Sequence, residues 1–318
     1  MSCQQLETTS TLEAMRLQEI TSYRCHDYLH AKVQKPASPT TVIRELFLMQ
    51  REEMARTKQD ILVCMSNRAK MAQWCMALMD ACELNRETVS VAMSVLDRFL
   101  ATPSGSECID DSASFQLSCM TALYSAIKIH EEKAISPEAL SSIARGFYTK
   151  ADMEAMEWRM LQALQWRVNA PTPLAFVREY LSLLPSSIVG QDVQDQLLSL
   201  AKIQTELAVV DYNLVTIKPS SIGFAALMNA VDVLGLSVAV IRQVILSHGH
   251  HVVDMPEVFR IQSSLYACVA NMKNLSCRQE ALRVNGADAV ARGSALPPKR
   301  HQSHTISPRA VCQASQIA

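Results

Sequence analysis

Apolar and polar positions recur along most of this chain with the three-and-four spacing of amphipathic helices, and strand-like alternation is rare. The pattern is clearest between Asn67 and Ala101, which reads as two helices joined by a tight turn. Met71, Trp74, Cys75, Leu78 and Cys82 form one stripe; Val89, Ala92, Met93, Leu96 and Leu100 form the other. Each stripe carries one charge where a hydrophobe belongs: Arg68 three residues before Met71, and Asp97 between Met93 and Leu100. Removing one partner of a buried ion pair costs about 3–5 kcal/mol, so a charge carried into a core needs its complement. The pattern therefore predicts that Arg68 and Asp97 pair and lock the two helices.

The same spacing predicts a helix over Leu12–His30, then a linker at Gln34–Thr41 containing Pro36 and Pro39. A helical stretch over Thr41–Ser66 follows, with Arg44, Glu45, Arg51, Glu52, Glu53 and Arg56 on a solvated face. After Leu100, TPSGSECIDDSAS has the composition of an exposed loop. Ser114–His130 is almost continuously apolar, which marks a helix that other helices surround. A short helix opens at Ser136-Pro137-Glu138, and a fifth, over Thr149–Leu164, aligns Met153, Met156, Met160 and Leu164. Pro171-Thr172-Pro173 forces an extended chain and closes the unit.

Five helical segments then repeat the plan: Leu174–Leu184, Val193–Val210, Ser220–Leu234, Leu236–Ser247 and Pro256–Met272, the third again the most apolar. The expected fold is all-α, with two tandem five-helix units and a flanking N-terminal helix. Its parts are an extension and linker at 1–65, units at 66–168 and 171–273, and a disordered tail at 274–318, where six basic residues face two acidic ones.

Composition narrows the function. With 318 residues, 49% of them hydrophobic, the chain can bury two cores. A net charge of −1 argues against a general nucleic-acid or membrane-surface binder. The ten cysteines show no C-x-x-C, and Cys75, Cys82 and Cys119 fall on apolar faces, as buried thiols in a reducing compartment do. No secretory signal is visible at the N-terminus, and the apolar run Ser221–Ile241 is interrupted by Asn229, Asp232 and Gly235, which makes it two buried helices and not a membrane span. No P-loop, nucleophile elbow, dinucleotide fingerprint or kinase signature is present. His248, His250 and His251 lack a Cys or acid at ligand spacing and read as a polar turn, so neither a metal nor a cofactor is expected. Lys299-Arg300 either assists nuclear import or keeps the tail soluble.

Two further charges invite attention. Glu157 lies between Met153 and Leu161 on one helical line, an acid ringed by hydrophobes as in the middle of an interface. Lys128 stands near a helix C-terminus, where a cation also gains about 0.3–1 kcal/mol from the macrodipole without any partner.

The run from Arg68 through Trp74, with RETVSVAMSVLDRFL, FQLSCMTALYSAIKIHEEK and YTKADMEAMEWRMLQALQWRVNAPTPLAFVREYL, resembles the cyclin box. The resemblance is specific over roughly 66–184 and continues over 185–272 by helix pattern. It implies two stacked five-helix folds, no catalysis by the chain itself, and a cyclin-dependent protein kinase as partner in cell-cycle control, in nucleus and cytoplasm. Kinase substrates or inhibitors would be further partners. In that family a Lys at the end of the third helix and a Glu in the fifth grip the kinase's αC helix, and Lys128 and Glu157 occupy those places. Both Arg68/Asp97 and Lys128/Glu157 are 29 residues apart, the offset the family's two pairs require. Ile129, Leu161, Trp166 and Val168 would supply apolar contact beside the pair.

Many cyclins also carry a substrate-docking groove on the first helix. Met71, Trp74 and Gln116 mark a degenerate version of it here, since Asn67, Lys70 and Ala77 replace its Met, aliphatic and acidic positions. No R-x-x-L or KEN degradation box stands in the N-terminal region. The rival readings are a cyclin-fold protein of the transcription-factor type, which binds DNA or a peptide, and a plain helical scaffold.

Overall fold

The computed structural model describes residues 3–33, 43–133, 135–144, 146–247 and 254–267, and no strand occurs among them. The helices are α1 (Cys3–Thr21), α2 (Tyr28–Val33), α3 (Ile43–Ala81), α4 (Glu87–Leu100), α5 (Pro103–Ser106), α6 (Ser112–His130), α7 (Pro137–Ile143), α8 (Lys150–Ala163), α9 (Pro173–Ser182), α10 (Gln191–Val210), α11 (Pro219–Val233) and α12 (Val238–Ser247). Residues 255–267 form α13. Two hydrophobic cores result, one among α3, α4, α6, α7 and α8, the other among α9 to α13. The doubled five-helix plan holds.

Each unit is built around its most apolar helix. In α6, Ser118, Ala122, Ser125 and Ala126 are all buried, and these small side chains let α4 and α8 close on it. In α11 burial is continuous from Ser220 to Val231. Gly223 is the close-approach point, since a Cβ there would lie 2.5 Å from the Pro173 carbonyl oxygen of α9. Asn229, the polar interruption in this run, donates to Gln204 Oε1 of α10 at 2.8 Å and accepts from Gln262 Nε2 of α13 at 2.9 Å. It thereby satisfies a buried amide and ties three helices together.

Starts and stops follow local chemistry. Asp111 caps α6, Ser136 caps α7, Thr172 caps α9, and Thr149 with Asp152 forms a capping box on α8. The C-terminus of α3 closes with Glu83 at φ 56°, Glu83 N–H bonding to Asp80 O and Leu84 N–H to Met79 O.

Three expectations are corrected. The boundary at 65/66 falls inside α3, because no Gly or Pro interrupts Ile43–Ala81. The loop after Leu100 folds into α5 and a 3₁₀ turn at Glu107–Ile109. Thr102 caps α5, Cys108 is buried, and Gly105 sits so close to α4 that a Cβ would meet the Phe99 carbonyl oxygen at 2.0 Å. The helix over Leu12–His30 is two helices separated by an irregular stretch at 22–27.

That break lets the N-terminal segment span both units. Leu12 of α1 is buried in the second core, whereas Tyr28 and Leu29 of α2 are buried in the first. Glu19 of α1 accepts from Ser220 N–H at 2.9 Å and Ser220 Oγ at 2.6 Å, satisfying donors in the first turn of α11, whose own N-cap Lys218 supplies no side-chain acceptor. Burial raises the Glu19 pKa against these bonds.

The break ends at a buried junction. Arg68 and Asp97 are 3% and 4% exposed. Arg68 Nε reaches Asp97 Oδ1 at 2.8 Å and Nη2 reaches Oδ2 at 2.7 Å, a bidentate pair, while Nη1 donates to the Val209 carbonyl of α10 at 2.9 Å. Tyr28 donates to Asp97 Oδ1 at 2.9 Å. Its ring meets that of Tyr212 edge-on at 5.3 Å, and the Tyr212 hydroxyl accepts from Leu29 N–H at 3.1 Å and donates to Asp27 at 3.0 Å. Burial works against the Arg68 charge, yet Asp97 holds its pKa above the usual arginine range. Burial and the same carboxylate push the Tyr28 hydroxyl up, so it stays a donor.

Among the described residues no helix is long and apolar enough to cross a membrane, and no group of His, Cys, Asp and Glu could hold a metal ion. The three-histidine turn, the tail and the side chains of Arg44 to Arg56 lie outside the described residues.

Arg68→Met is expected to remove about 3–5 kcal/mol of unfolding free energy in a urea titration, because Asp97 is left buried alone. Adding Asp97→Leu should recover most of the loss; a double variant as unstable as the single one would contradict the pairing.

Candidate functional site

Lys128 stands in the last turn of α6 and Glu157 midway along α8, and the α6–α8 packing brings them together. Lys128 Nζ lies 2.6 Å from Glu157 Oε1 and 2.8 Å from Oε2. Glu157 also accepts from Ser125 Oγ at 2.6 Å, and the Lys128 ammonium lies 4.5 Å from the Tyr124 ring centroid. The carboxylate is mostly sheltered and the ammonium open, with side-chain exposures of 13% and 40%. Ser125 and Tyr124 thus hold an ion pair in place at the rim of the first core.

Apolar side chains share the elements that carry it, Ile129 next to Lys128 and Leu161 one turn after Glu157. Ile129 is exposed, Leu161 is half-buried, and Val168 is half-buried against the first core. Trp166 is 62% exposed and meets Trp158 edge-on at 5.9 Å. The turn that presents Trp166 is strained. Gln165 N–H bonds to Gln162 O and Trp166 N–H to Leu161 O, closing α8 as a Schellman turn. Gln165 has φ 52° and Trp166 φ 62°, two successive non-glycine residues in the left-handed region. Each costs about 1–2 kcal/mol there. The α11 terminus makes the same pair of bonds with Gly235 at φ 67°, where the cost is absent. Two large exposed indoles thus stand on α8 and on the strained turn that ends it, the same element that carries Glu157.

The pattern of the cyclin N-terminal domain matches residues 41–169, and that of the cyclin C-terminal domain matches 171–285. The chain belongs to the cyclin family. It is 30% identical over 202 residues to Cyclin-B2-1 of Oryza sativa subsp. japonica, which covers 61% of this chain and 45% of that protein. It is 31% identical over 196 residues to G2/mitotic-specific cyclin-B2 of Rana japonica, which covers 60% of this chain and 46% of the relative. The chain thus spans less than half the length of these curated relatives. Among solved structures, a viral cyclin from herpesvirus saimiri aligns at a TM-score of 0.51 and 16% identity over 65% of this chain and 85% of its own, a likeness of fold alone.

In this cyclin the first-helix patch is not a surface. Met71, Trp74 and Gln116 are all buried, Gln116 being 1% exposed, with its Oε1 bonded to the Tyr148 hydroxyl at 3.2 Å. Met71 and Trp74 face α4 and α6 from α3, and Gln116 lies within α6 itself, its side chain turned into the first core. A cavity of about 200 Å³ opens beside them instead, lined by Leu29, Asp60, Cys64, Asn67 and Phe115 among others. Sequence reasoning passed over Trp158. Its neighbour Glu157 drew attention as a charge in an apolar line, while Trp158 lies one position off that line, which is why it is 55% exposed.

Gln165→Gly is expected to raise the stability of the chain by about 0.5–1 kcal/mol, the left-handed penalty less the added unfolded-state entropy of glycine. Equilibrium urea unfolding would read the gain, and an unchanged or lowered midpoint would contradict the strain.

Proposed function

We propose that this cyclin binds a cyclin-dependent Ser/Thr protein kinase through the Lys128/Glu157 surface and activates it, without catalysing any step itself, in the nucleus and cytoplasm during the cell cycle. The observation that carries this is the Lys128–Glu157 pair, fixed by Ser125 and carried by α6 and α8; α6 also presents Ile129, α8 also presents Trp158 and Leu161, and the turn that ends α8 presents Trp166. An anchoring charge pair with apolar side chains on the same helices suits one face of a partner helix.

The kinase αC helix is that partner. In an inactive kinase αC is displaced and the Lys–Glu pair that orders the ATP phosphates is unmade. A surface complementary to αC only in its inward position shifts the kinase toward the active state by its differential affinity for the two states. The latch residues Arg68 and Asp97 act indirectly, by fixing α3 and α4 in the unit that presents α6 and α8.

The test is phosphotransfer by purified cyclin-dependent kinases with and without the full chain. Wild-type chain is expected to stimulate at least one of them. Lys128→Ala with Glu157→Ala should weaken binding roughly a hundredfold or more, since charge-assisted bonds contribute about 1.5–3 kcal/mol each, with circular dichroism unchanged. Normal stimulation by the folded double variant would refute the interface.

A further inference from the structure

A second cluster of charge, which includes neither Lys128 nor Glu157, lies where the 22–27 break passes over the C-terminal ends of α4 and α8. A cavity of about 230 Å³ there is lined by Ser22, Arg24, His26, Arg98, Thr102 and Arg167 among others, with no carboxylate among the lining residues. Arg98 is the unusual member. It is 6% exposed, and among the described residues no acid pairs with it. Its Nε donates to the Ser94 carbonyl at 3.2 Å and its guanidinium stacks 4.8 Å from the Tyr23 ring centroid, but Nη2 has no hydrogen-bond partner. Asp97, next in sequence, is already occupied by Arg68 and Tyr28. Burial accordingly lowers the Arg98 pKa from the usual arginine value.

A desolvated guanidinium without a counter-charge is costly, and such groups are retained where something supplies the missing charge. The helix ends supply only part. Three guanidiniums stand against roughly −0.5 of an elementary charge from each of the two helix C-termini, which leaves about +2. A doubly charged tetrahedral oxyanion matches that excess in charge, and planar guanidiniums match it in geometry.

We propose that this cavity is a phosphate-binding site, occupied by a free phosphate or by the phosphomonoester of a phosphorylated side chain. Arg98 forms its floor, Arg24 and Arg167 its exposed rim, and Ser22 supplies a neutral donor, whereas the Thr102 hydroxyl is already committed to the Phe99 carbonyl. It lies next to Trp166, yet it requires no kinase, so its test is independent of the activation proposed above.

Isothermal titration of the full chain at low ionic strength, with inorganic phosphate, N-acetyl-O-phosphoserine amide and N-acetylserine amide, decides the matter. Both phosphorylated probes are expected to saturate one site and the unphosphorylated one to show no binding. Arg24→Gln with Arg167→Gln should weaken binding about tenfold or more, while Lys202→Gln, an exposed cation elsewhere, leaves it unchanged. Arg98→Leu should abolish it; if that variant does not fold, the rim variants decide. Tighter binding of the phosphoserine probe supports a phosphoprotein ligand, and equal or weaker binding supports the free anion. No saturable binding at about 10 mM phosphate, or equal affinity in the rim double variant, overturns the proposal.

Discussion

One desolvated cation organises this molecule. Arg68 cannot be buried without Asp97, and the guanidinium has more donors than one carboxylate can satisfy. The surplus donor goes to the Val209 carbonyl of the second unit, and the surplus acceptor on Asp97 takes the hydroxyl of Tyr28. Completing the hydrogen bonds of a single ion pair therefore recruits α3, α4, α10 and α2 at once. Arg86 to Glu206 and Glu87 to Arg178 add ion pairs across the same junction, but these are partly exposed and each contributes little.

The scaffold so formed keeps its interaction surfaces at its edges. Trp166 is held out from the first core by a helix end in which two side-chain-bearing residues adopt left-handed backbone, a local cost that the Schellman bonds and the packing of α8 offset, while Trp158 is exposed because it lies off the buried line of α8. The Lys128–Glu157 pair is half open, so its charge is available outward, in contrast to the sealed Arg68–Asp97 pair only a helix layer away. The same 29-residue separation thus yields two pairs with different environments: one closes the core and the other borders solvent.

Much of this was legible in the sequence because periodicity reports which face of a helix is covered. The stripes of Met71 to Cys82 and Val89 to Leu100, and the apolar runs of α6 and α11, place the cores, and the stranded charges Arg68 and Asp97 stand out against them. Less legible was anything depending on what covers a face. Met71, Trp74 and Gln116 look alike in sequence whether they line a groove or a core. The N-terminal helix showed an amphipathic face without showing its receiver, which proves to be both units of the chain itself. Trp158 and Arg98 were hidden for the opposite reason: an indole on the exposed side of its helix and a guanidinium that is buried each contradict what residue type alone indicates.

Native-state hydrogen exchange on Arg68→Met tests most directly whether one buried cation joins the N-terminal segment and both units. Protection at Leu29 N–H, in α4 and in α10 around Val209 is expected to fall together relative to wild type, because all depend on the same junction. Loss confined to α3 and α4, with Leu29 and α10 protected as in wild type, would show the pair to be a clasp within the first unit alone and would contradict the role given to it here.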